Sequence, residues 1–129
     1  MARTYCIETF GCQMNVHDSE RLAGLLEQAG YESTPEAENA DLVIVNTCSV
    51  RERAEEKLFA RLDRFRGRAT EDRPVIAVTG CVAQQEGARI LARAPMVDVI
   101  VGTQAMTRLP RLVERATQGA APSVELNPH

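Results

Sequence analysis

Two short runs of consecutive apolar residues constrain the fold of this chain more than any other feature. They cover residues 42–45 and 75–78 and consist mostly of valine and isoleucine. A continuous run, unlike an alternating one, is typical of a strand whose two faces are both covered. Segments with helical spacing separate these runs, for example Leu22, Leu25 and Leu26 at i, i+3 and i+4. The pattern therefore predicts parallel strands joined by right-handed helical crossovers.

The same reading along the whole chain predicts five strands, at residues 4–10, 31–34, 42–46, 75–79 and 97–101. Helices are predicted between and after them, from Asn15 or Asp18 to Ala29, and at 50–65, 83–94 and 109–116. The best fit is an α/β fold with a doubly wound, mainly parallel five-stranded sheet in the flavodoxin-like order 2-1-3-4-5 and helices on both faces. Because residues 35–41 are few for a parallel crossover, the second strand is expected to be a stub or an irregular element.

The chain has the length of one domain. Its 129 residues suffice for a single core without metal or disulfide support. We assign residues 1–118 to that domain. Residues 119–129 are rich in Ala, Pro, Ser and Asn, so they are expected to form a linker or disordered tail.

The net charge and the cysteines indicate in which cellular compartment and with which partners the chain is expected to work. The formal net charge is −3, whereas a free-standing nucleic-acid binder usually carries a basic excess, so little affinity for nucleic acid is expected. No apolar run reaches the roughly 20 residues that span a bilayer, and the start of the chain lacks a signal-peptide pattern. A cytoplasmic location without a membrane partner is therefore expected. Thiols stay reduced there, so the four cysteines need a role other than disulfides.

Three of the cysteines follow the ends of neighbouring predicted strands. Cys12, Cys48 and Cys81 each lie one or two residues past strands one, three and four. The outer two of these strands are about 10 Å apart, which short loops can close. Ligands also bind at this carboxyl edge in open α/β sheets. A shared metal or cluster site is therefore predicted. Cys6, about 20 Å before Cys12 on an extended strand, is predicted to be a small buried core residue instead.

The residues alone do not decide which metal or cluster is bound at this site. Three thiolates suit an iron–sulfur cluster with one open iron. A zinc site with three cysteines and His17 is the rival, although His17 is better explained as a surface residue. A thiol enzyme is disfavoured because the chain has no Cys-x-x-Cys. A stand-alone module that holds zinc or a phosphate-bearing ligand at the same edge is the alternative of another class.

Five motifs resemble one family: TFGCQMN at 9–15, DSER at 18–21, NTCSVR at 46–51, GCVAQ at 80–84 and DVIVGT at 98–103. Together they look like the amino-terminal domain of methylthiotransferases of the radical-SAM type. The GCQMN in the first motif is similar to the MiaB-type branch, which acts on tRNA. The resemblance extends from about residue 4 to residue 116.

This resemblance implies a tRNA-modifying enzyme. Such an enzyme adds a methylthio group to carbon 2 of isopentenylated adenosine next to the anticodon, using S-adenosylmethionine. It carries two 4Fe-4S clusters, one in a radical-SAM domain and an auxiliary one in the amino-terminal domain. Carried over, the auxiliary ligands are Cys12, Cys48 and Cys81. The Cys-x-x-x-Cys-x-x-Cys motif of the radical-SAM domain is absent from this sequence. We therefore expect no catalytic residue here, no activity of this chain alone, and missing radical-SAM and RNA-binding domains as its partners.

The sequence indicates the roles of the polar and basic residues less clearly than those of the cysteines. Six polar residues near the cysteines are candidates for hydrogen bonds to the cluster, S-adenosylmethionine or the base: Gln13, Asn15, Asn46, Thr47, Ser49 and Gln84. Helix capping and loop closure explain them equally well. A basic stripe at helical spacing consists of Lys57, Arg61, Arg64 and Arg68. Because acidic residues share that helix, a solvated face is the better interpretation than an RNA contact.

Overall fold

The chain is organised around a parallel sheet. The computed structural model describes residues 3–10, 13–36, 40–47, 52–65, 74–80, 83, 87–102, 105–119 and 121–125. The strands of the sheet are β1 (Arg3–Phe10), β2 (Tyr31–Ser33), β3 (Leu42–Thr47), β4 (Val75–Gly80), β5 (Val99–Val101) and β6 (Ser123–Glu125). Within the same ranges the helices are α1 (Gln13–Gln28), α2 (Glu52–Asp63), α3 (Ala88–Arg93) and α4 (Leu109–Thr117), the last preceded by a 3-10 helix at Met106–Arg108.

The strands lie in the order β2-β1-β3-β4-β5-β6, and every neighbouring pair is parallel. The doubly wound α/β class and the order of the first five strands are thus confirmed. Every side chain of β3 is buried, which explains its unbroken apolar run. β2 is a stub, as one of the two expectations had it, and pairs only with residues 3–5 of β1.

The prediction of five strands is wrong, because β6 extends the sheet beyond β5. The Ser123 amide donates to the Asp98 carbonyl over 3.0 Å, and the Gly102 amide donates to the Glu125 carbonyl over 2.8 Å. An ion pair of 3.0 Å between Arg108 and Glu125 adds to this edge. The strand lies within residues 119–129, where composition predicted a linker or tail. Three residues are too few to show a period, and their order comes from pairing with β5. That the segment leads towards a further domain stays a prediction.

Helices cover both faces of the sheet, as predicted. α1 and α4 pack on one face, where the buried residues include Leu22, Leu26, Leu42, Ile44, Val99, Leu109 and Val113. α2 and α3 contribute to the core on the other face, where the buried residues include Val43, Val45, Leu58, Leu62, Phe65, Ile76, Val78 and Ile90. Side chains alternate between these two cores along β3 and β4, which fixes the register of the central strands.

Several helix boundaries differ from the predicted ones; α2, for example, ends at Asp63 and not at residue 65. α1 begins at Gln13, so Asn15 and Asp18 lie inside the helix and not at its start. Local capping preferences do not determine a helix end to the residue. Of the helix predicted at 83–94, the described residues Ala83 and 88–93 are helical, with a turn at Gly87. Among the described residues, no helix has the length and apolarity needed to cross a membrane.

Candidate metal centre at the carboxyl edge of the sheet

Three neighbouring strands end at one level of the sheet. Phe10, Thr47 and Gly80 are the last residues of β1, β3 and β4, and the register aligns them side by side. At about 4.8 Å per strand, the chain leaves these strands within about 10 Å. The predicted ligands follow one or two residues later, at Cys12, Cys48 and Cys81. The cysteines themselves lie outside the described residues, so their common site stays a prediction.

The six polar residues predicted around the cysteines are only partly described. Ser49 and Gln84 lie outside the described ranges, and Gln13 and Asn15 are described only through the backbone of α1. Asn46 and Thr47 are described, and both side chains are completely buried. Buried polar groups in proteins are almost always hydrogen-bonded, so it matters for each of these two side chains whether it has a hydrogen-bond partner.

Asn46 belongs to a polar layer that crosses the sheet one level before the strands end. The register places it between Thr9 of β1 and Thr79 of β4. Two residues earlier along each strand, on the same face, the layer is apolar: Ile7, Ile44 and Ala77. This face of the sheet therefore changes from apolar to polar as the strands approach the carboxyl edge.

Helix α1 joins the polar layer through Ser19. The Thr9 Oγ1 and Ser19 Oγ atoms are 2.7 Å apart, and the Asn46 Nδ2 group donates to Ser19 Oγ over 2.9 Å. One hydroxyl thus links β1, β3 and α1. Sequence reasoning did not single out Thr9, Ser19 or Thr79 as site residues. The available signal was a polar residue near the end of each of three strands.

Two threonine hydroxyls at this edge have no hydrogen-bond partner among the described residues. Thr47 Oγ1 and Thr79 Oγ1 are both inaccessible to solvent, and both side chains are fully buried. An unsatisfied buried hydroxyl costs about 1–3 kcal/mol. Orphaned donors next to the strand ends are therefore groups that a ligand held at this edge can satisfy.

Gly80 lets β4 approach β3 closely just before Cys81. Its φ of 103° lies in the left-handed region that favours glycine. A Cβ atom at this position would lie 2.8 Å from Asn46 Oδ1 and 2.9 Å from the Thr47 amide nitrogen, and closer still to the Thr47 carbonyl. No side chain fits there, so the backbone of Gly80, the residue before Cys81 in the sequence, lies directly beside β3.

The orphaned donors at this edge fit a thiolate-bound metal group. The two orphaned hydroxyls can donate to sulfur, and the glycine keeps the strand ends close. α1, 16 residues long, begins directly after Cys12, and the partial positive charge at a helix start stabilises thiolates. In the part of the chain that the structure describes, no three His, Cys, Asp or Glu side chains are grouped to hold a metal ion. The three cysteines that follow the strands in the sequence stay the predicted donor set.

Cys6 lies well below this edge, in the hydrophobic core. It pairs in register with Val43, four residues before the Phe10 level, which corresponds to about 13 Å along the strand. Its side chain is 7% exposed and contributes to the core on the α2 face. Burial raises the pKa of the Cys6 thiol, and the nearby Glu8 raises that pKa further. The prediction that Cys6 is a small buried core residue is confirmed.

Cys6→Ala is therefore expected to leave iron binding intact. The substitution removes one small buried atom and costs about 1 kcal/mol of folding stability. Iron and sulfide content after anaerobic reconstitution, measured beside the unsubstituted chain, checks this expectation. A folded Cys6→Ala protein that no longer takes up iron would contradict the separation of Cys6 from the site.

His17 has the surface position that was predicted for it. Its side chain is 78% exposed, and Nδ1 lies 3.9 Å from the Glu20 carboxylate one helical turn away. A histidine in this environment is solvated on the outer surface of α1. The geometry therefore does not favour the zinc alternative in which His17 is the fourth ligand.

Of the two described residues of the basic stripe, Arg61 on α2 is 46% exposed, as a solvated face predicts, and Arg64, just after α2, is half-buried. Arg61 lies 3.7 Å from the Glu8 carboxylate, and Arg64 lies 3.3 Å from it. The Glu8 side chain is only 16% exposed, and Arg64 is 27% exposed. Both guanidinium groups are thus held against β1. The Lys57 side chain and Arg68 lie outside the described residues.

The fold and this edge define a class of protein: a doubly wound α/β domain in which cysteine-containing segments follow the carboxyl ends of adjacent parallel strands. A model of the uncharacterized protein family UPF0004 matches residues 4–102. Since this match covers more than half of the 129 residues, the chain belongs to that family.

Curated relatives carry the name tRNA-2-methylthio-N(6)-dimethylallyladenosine synthase. The chain is 52% identical over 125 residues to the one from Parafrankia sp. (strain EAN1pec), covering 96% of this chain and 25% of the relative. It is 51% identical over 127 residues to that of Mycobacterium sp. (strain MCS), covering 98% and 24%. It is 54% identical over 113 residues to that of Geobacter metallireducens, covering 88% and 26%. The resemblance inferred from the motifs is confirmed, and the chain spans about a quarter of the length of these relatives.

Proposed function

We propose that this chain is the domain of a tRNA methylthiotransferase that binds the auxiliary 4Fe-4S cluster through Cys12, Cys48 and Cys81. The common level at which β1, β3 and β4 end supports this most, because the three cysteines follow these strand ends by one or two residues in the sequence. The name that the relatives carry supports the reaction class. The orphaned hydroxyls and the close approach at Gly80 support a ligand at that edge.

The role of this chain in the reaction is to hold and position a reactant. When bound, the cluster would supply an iron without a protein ligand, to which a sulfur-containing reactant can bind. The three thiolates would anchor the group to a rigid parallel sheet. Holding the sulfur at a defined place removes translational and rotational freedom that the reaction would otherwise have to remove.

The polar residues near the cysteines would surround that group. Asn46 is held in place by its hydrogen bond to Ser19, which fixes the backbone that leads through Thr47 into Cys48. We assign Gln13, Asn15, Ser49 and Gln84 to contacts with the cluster, S-adenosylmethionine or the base. Their positions in the same motifs as the cysteines support this assignment.

The complete reaction requires the rest of the full-length protein. There we place a radical-SAM domain with a second 4Fe-4S cluster that cleaves S-adenosylmethionine, and an RNA-binding part that holds the tRNA. Such a substrate places the enzyme in the cytoplasm. The net charge of −3 and the absence of a Cys-x-x-x-Cys-x-x-Cys motif support the expectation that this chain alone neither binds tRNA well nor modifies it.

Anaerobic reconstitution tests the proposal. The purified chain is incubated with ferrous iron, sulfide and a thiol reductant, desalted, and analysed for iron, sulfide and visible absorption. We expect a broad brown absorption band and close to four irons and four sulfides per chain, as a 4Fe-4S cluster requires. A parallel incubation with zinc measures the competing metal.

A colourless protein after the iron incubation, with one tightly bound zinc after the other, would favour the stand-alone zinc module instead. Binding of a phosphate-bearing ligand without any metal would favour the phosphate version of that module. Either result would show that this edge is not an iron–sulfur site.

A further inference from the structure

The hydroxyls of Thr47 and Thr79 are the most unusual buried groups near the strand ends. Both side chains have no exposure to solvent, and neither Oγ1 atom has a hydrogen-bond partner among the described residues. Valine has nearly the same shape and would avoid the cost of burying an unsatisfied hydroxyl. Two such costs at adjacent strand ends call for a partner that is not a described protein group.

The two hydroxyls approach the edge from opposite faces of the sheet. Thr47 follows Val43 and Val45 in the alternation of β3, so it belongs to the face covered by α2. Thr79 follows Ala77 in β4, so it belongs to the face covered by α1 and α4. Thr47 directly precedes Cys48, and Thr79 lies two residues before Cys81. Each hydroxyl is thus within two residues of a proposed ligand.

Three other described polar residues near this edge are hydrogen-bonded to one another. Thr9, Ser19 and Asn46 form the hydrogen bonds that join β1, β3 and α1. Thr79 lies beside Asn46 in the same layer, yet this network does not include it. A structural network that served only to close the fold would be expected to satisfy this hydroxyl too.

We propose that Thr47 and Thr79 donate hydrogen bonds to sulfur atoms at the cluster, either cysteine thiolates or sulfides, one from each face of the sheet. This inference rests on the proposed function. A donated hydrogen bond to sulfur withdraws electron density and stabilises the reduced cluster, which carries more negative charge. The two threonine hydroxyls therefore raise the reduction potential of the cluster and slow the loss of its iron.

The test uses the substitutions Thr47→Val and Thr79→Val, each made alone. Thr117→Val is the matched control, since it removes a threonine hydroxyl from the end of α4, where that hydroxyl donates to the Val113 carbonyl. Two measurements are made on each protein: the urea midpoint of the metal-free chain, and the midpoint potential of the reconstituted cluster. Release of iron to a chelator gives a third readout.

We expect the metal-free Thr47→Val and Thr79→Val proteins to be as stable as the unsubstituted chain, or more stable, because an orphaned hydroxyl is removed. Their clusters should have a more negative midpoint potential and should lose iron about fivefold faster, the equivalent of one net hydrogen bond. Thr117→Val should leave the potential and the iron release unchanged.

Two results would overturn the inference alone. A lower urea midpoint in the metal-free variants would mean that each hydroxyl has a partner in the protein or in a bound water. An unchanged potential and iron release in variants that still carry the cluster would mean that the hydroxyls do not reach sulfur. Failure of the unsubstituted chain to take up iron is a different outcome, because it removes the proposed function and this inference together.

Discussion

Serine at position 12, 48 or 81 is expected to reduce reconstituted iron to near zero. Each cysteine would supply one of only three protein ligands, and a serine hydroxyl is a poorer ligand for iron than a thiolate. Each of Cys12→Ser, Cys48→Ser and Cys81→Ser should therefore show a loss as large as that of the triple substitution. Iron and sulfide content and the visible absorption band after anaerobic reconstitution measure the effect.

The metal-free variants should fold like the unsubstituted chain, because the sheet core of Val, Ile and Leu lies below the strand ends. Far-ultraviolet circular dichroism and the urea midpoint check this. Cys6→Ala is the matched control, since it removes a thiol that is buried in the core and away from the edge. If one of the three serine variants kept its full iron content, that cysteine would not be a ligand and the shared site would be wrong.

The central sheet could be predicted because its signal is local. β3 and β4 are buried on both faces, and this environment selects the continuous apolar runs that mark them in the sequence. β6 has no such signal. Its three residues are ordered by pairing with β5 and by the contact of Glu125 with Arg108, both of which are set by the folded chain. Composition alone therefore assigned residues 119–129 to a tail.

The candidate site, like the sheet, could be predicted only in part from the sequence. The strand ends before Cys48 and Cys81 could be placed from the apolar runs, and the end before Cys12 from the strand predicted at residues 4–10. The register aligns those three ends at one level. The polar layer could not be found in this way, because it depends on which residue of β4 lies beside Asn46. Ser19 was equally hidden, since its contact with Thr9 depends on how α1 packs on the sheet. Register and helix packing are tertiary properties that no local pattern contains.

Gly80→Ala is expected to destabilise the chain by about 4 kcal/mol or more, a large part of the stability of a typical domain. Two effects add. An alanine is strained at a φ of 103°, and its Cβ would lie 2.9 Å from the Thr47 amide nitrogen and closer still to the Thr47 carbonyl. Both obstacles are backbone atoms of a central strand, which cannot move aside as a flexible side chain can. Urea unfolding of the metal-free protein measures the loss.

Two other glycines of the same chain separate these effects. Gly24 lies in α1 without a positive φ, and a Cβ there would meet nothing within 4 Å, so Gly24→Ala should stabilise by about 0.5–1 kcal/mol. Gly30 has a φ of 96° and equally open space, so Gly30→Ala should cost only the strain of about 1–2 kcal/mol. If Gly80→Ala cost no more than Gly30→Ala, β4 would not approach β3 as closely as described, and Gly80 would not set the position of the Cys81 segment. A loss well beyond that of Gly30→Ala, or failure of Gly80→Ala to fold while both controls fold, is the expected result.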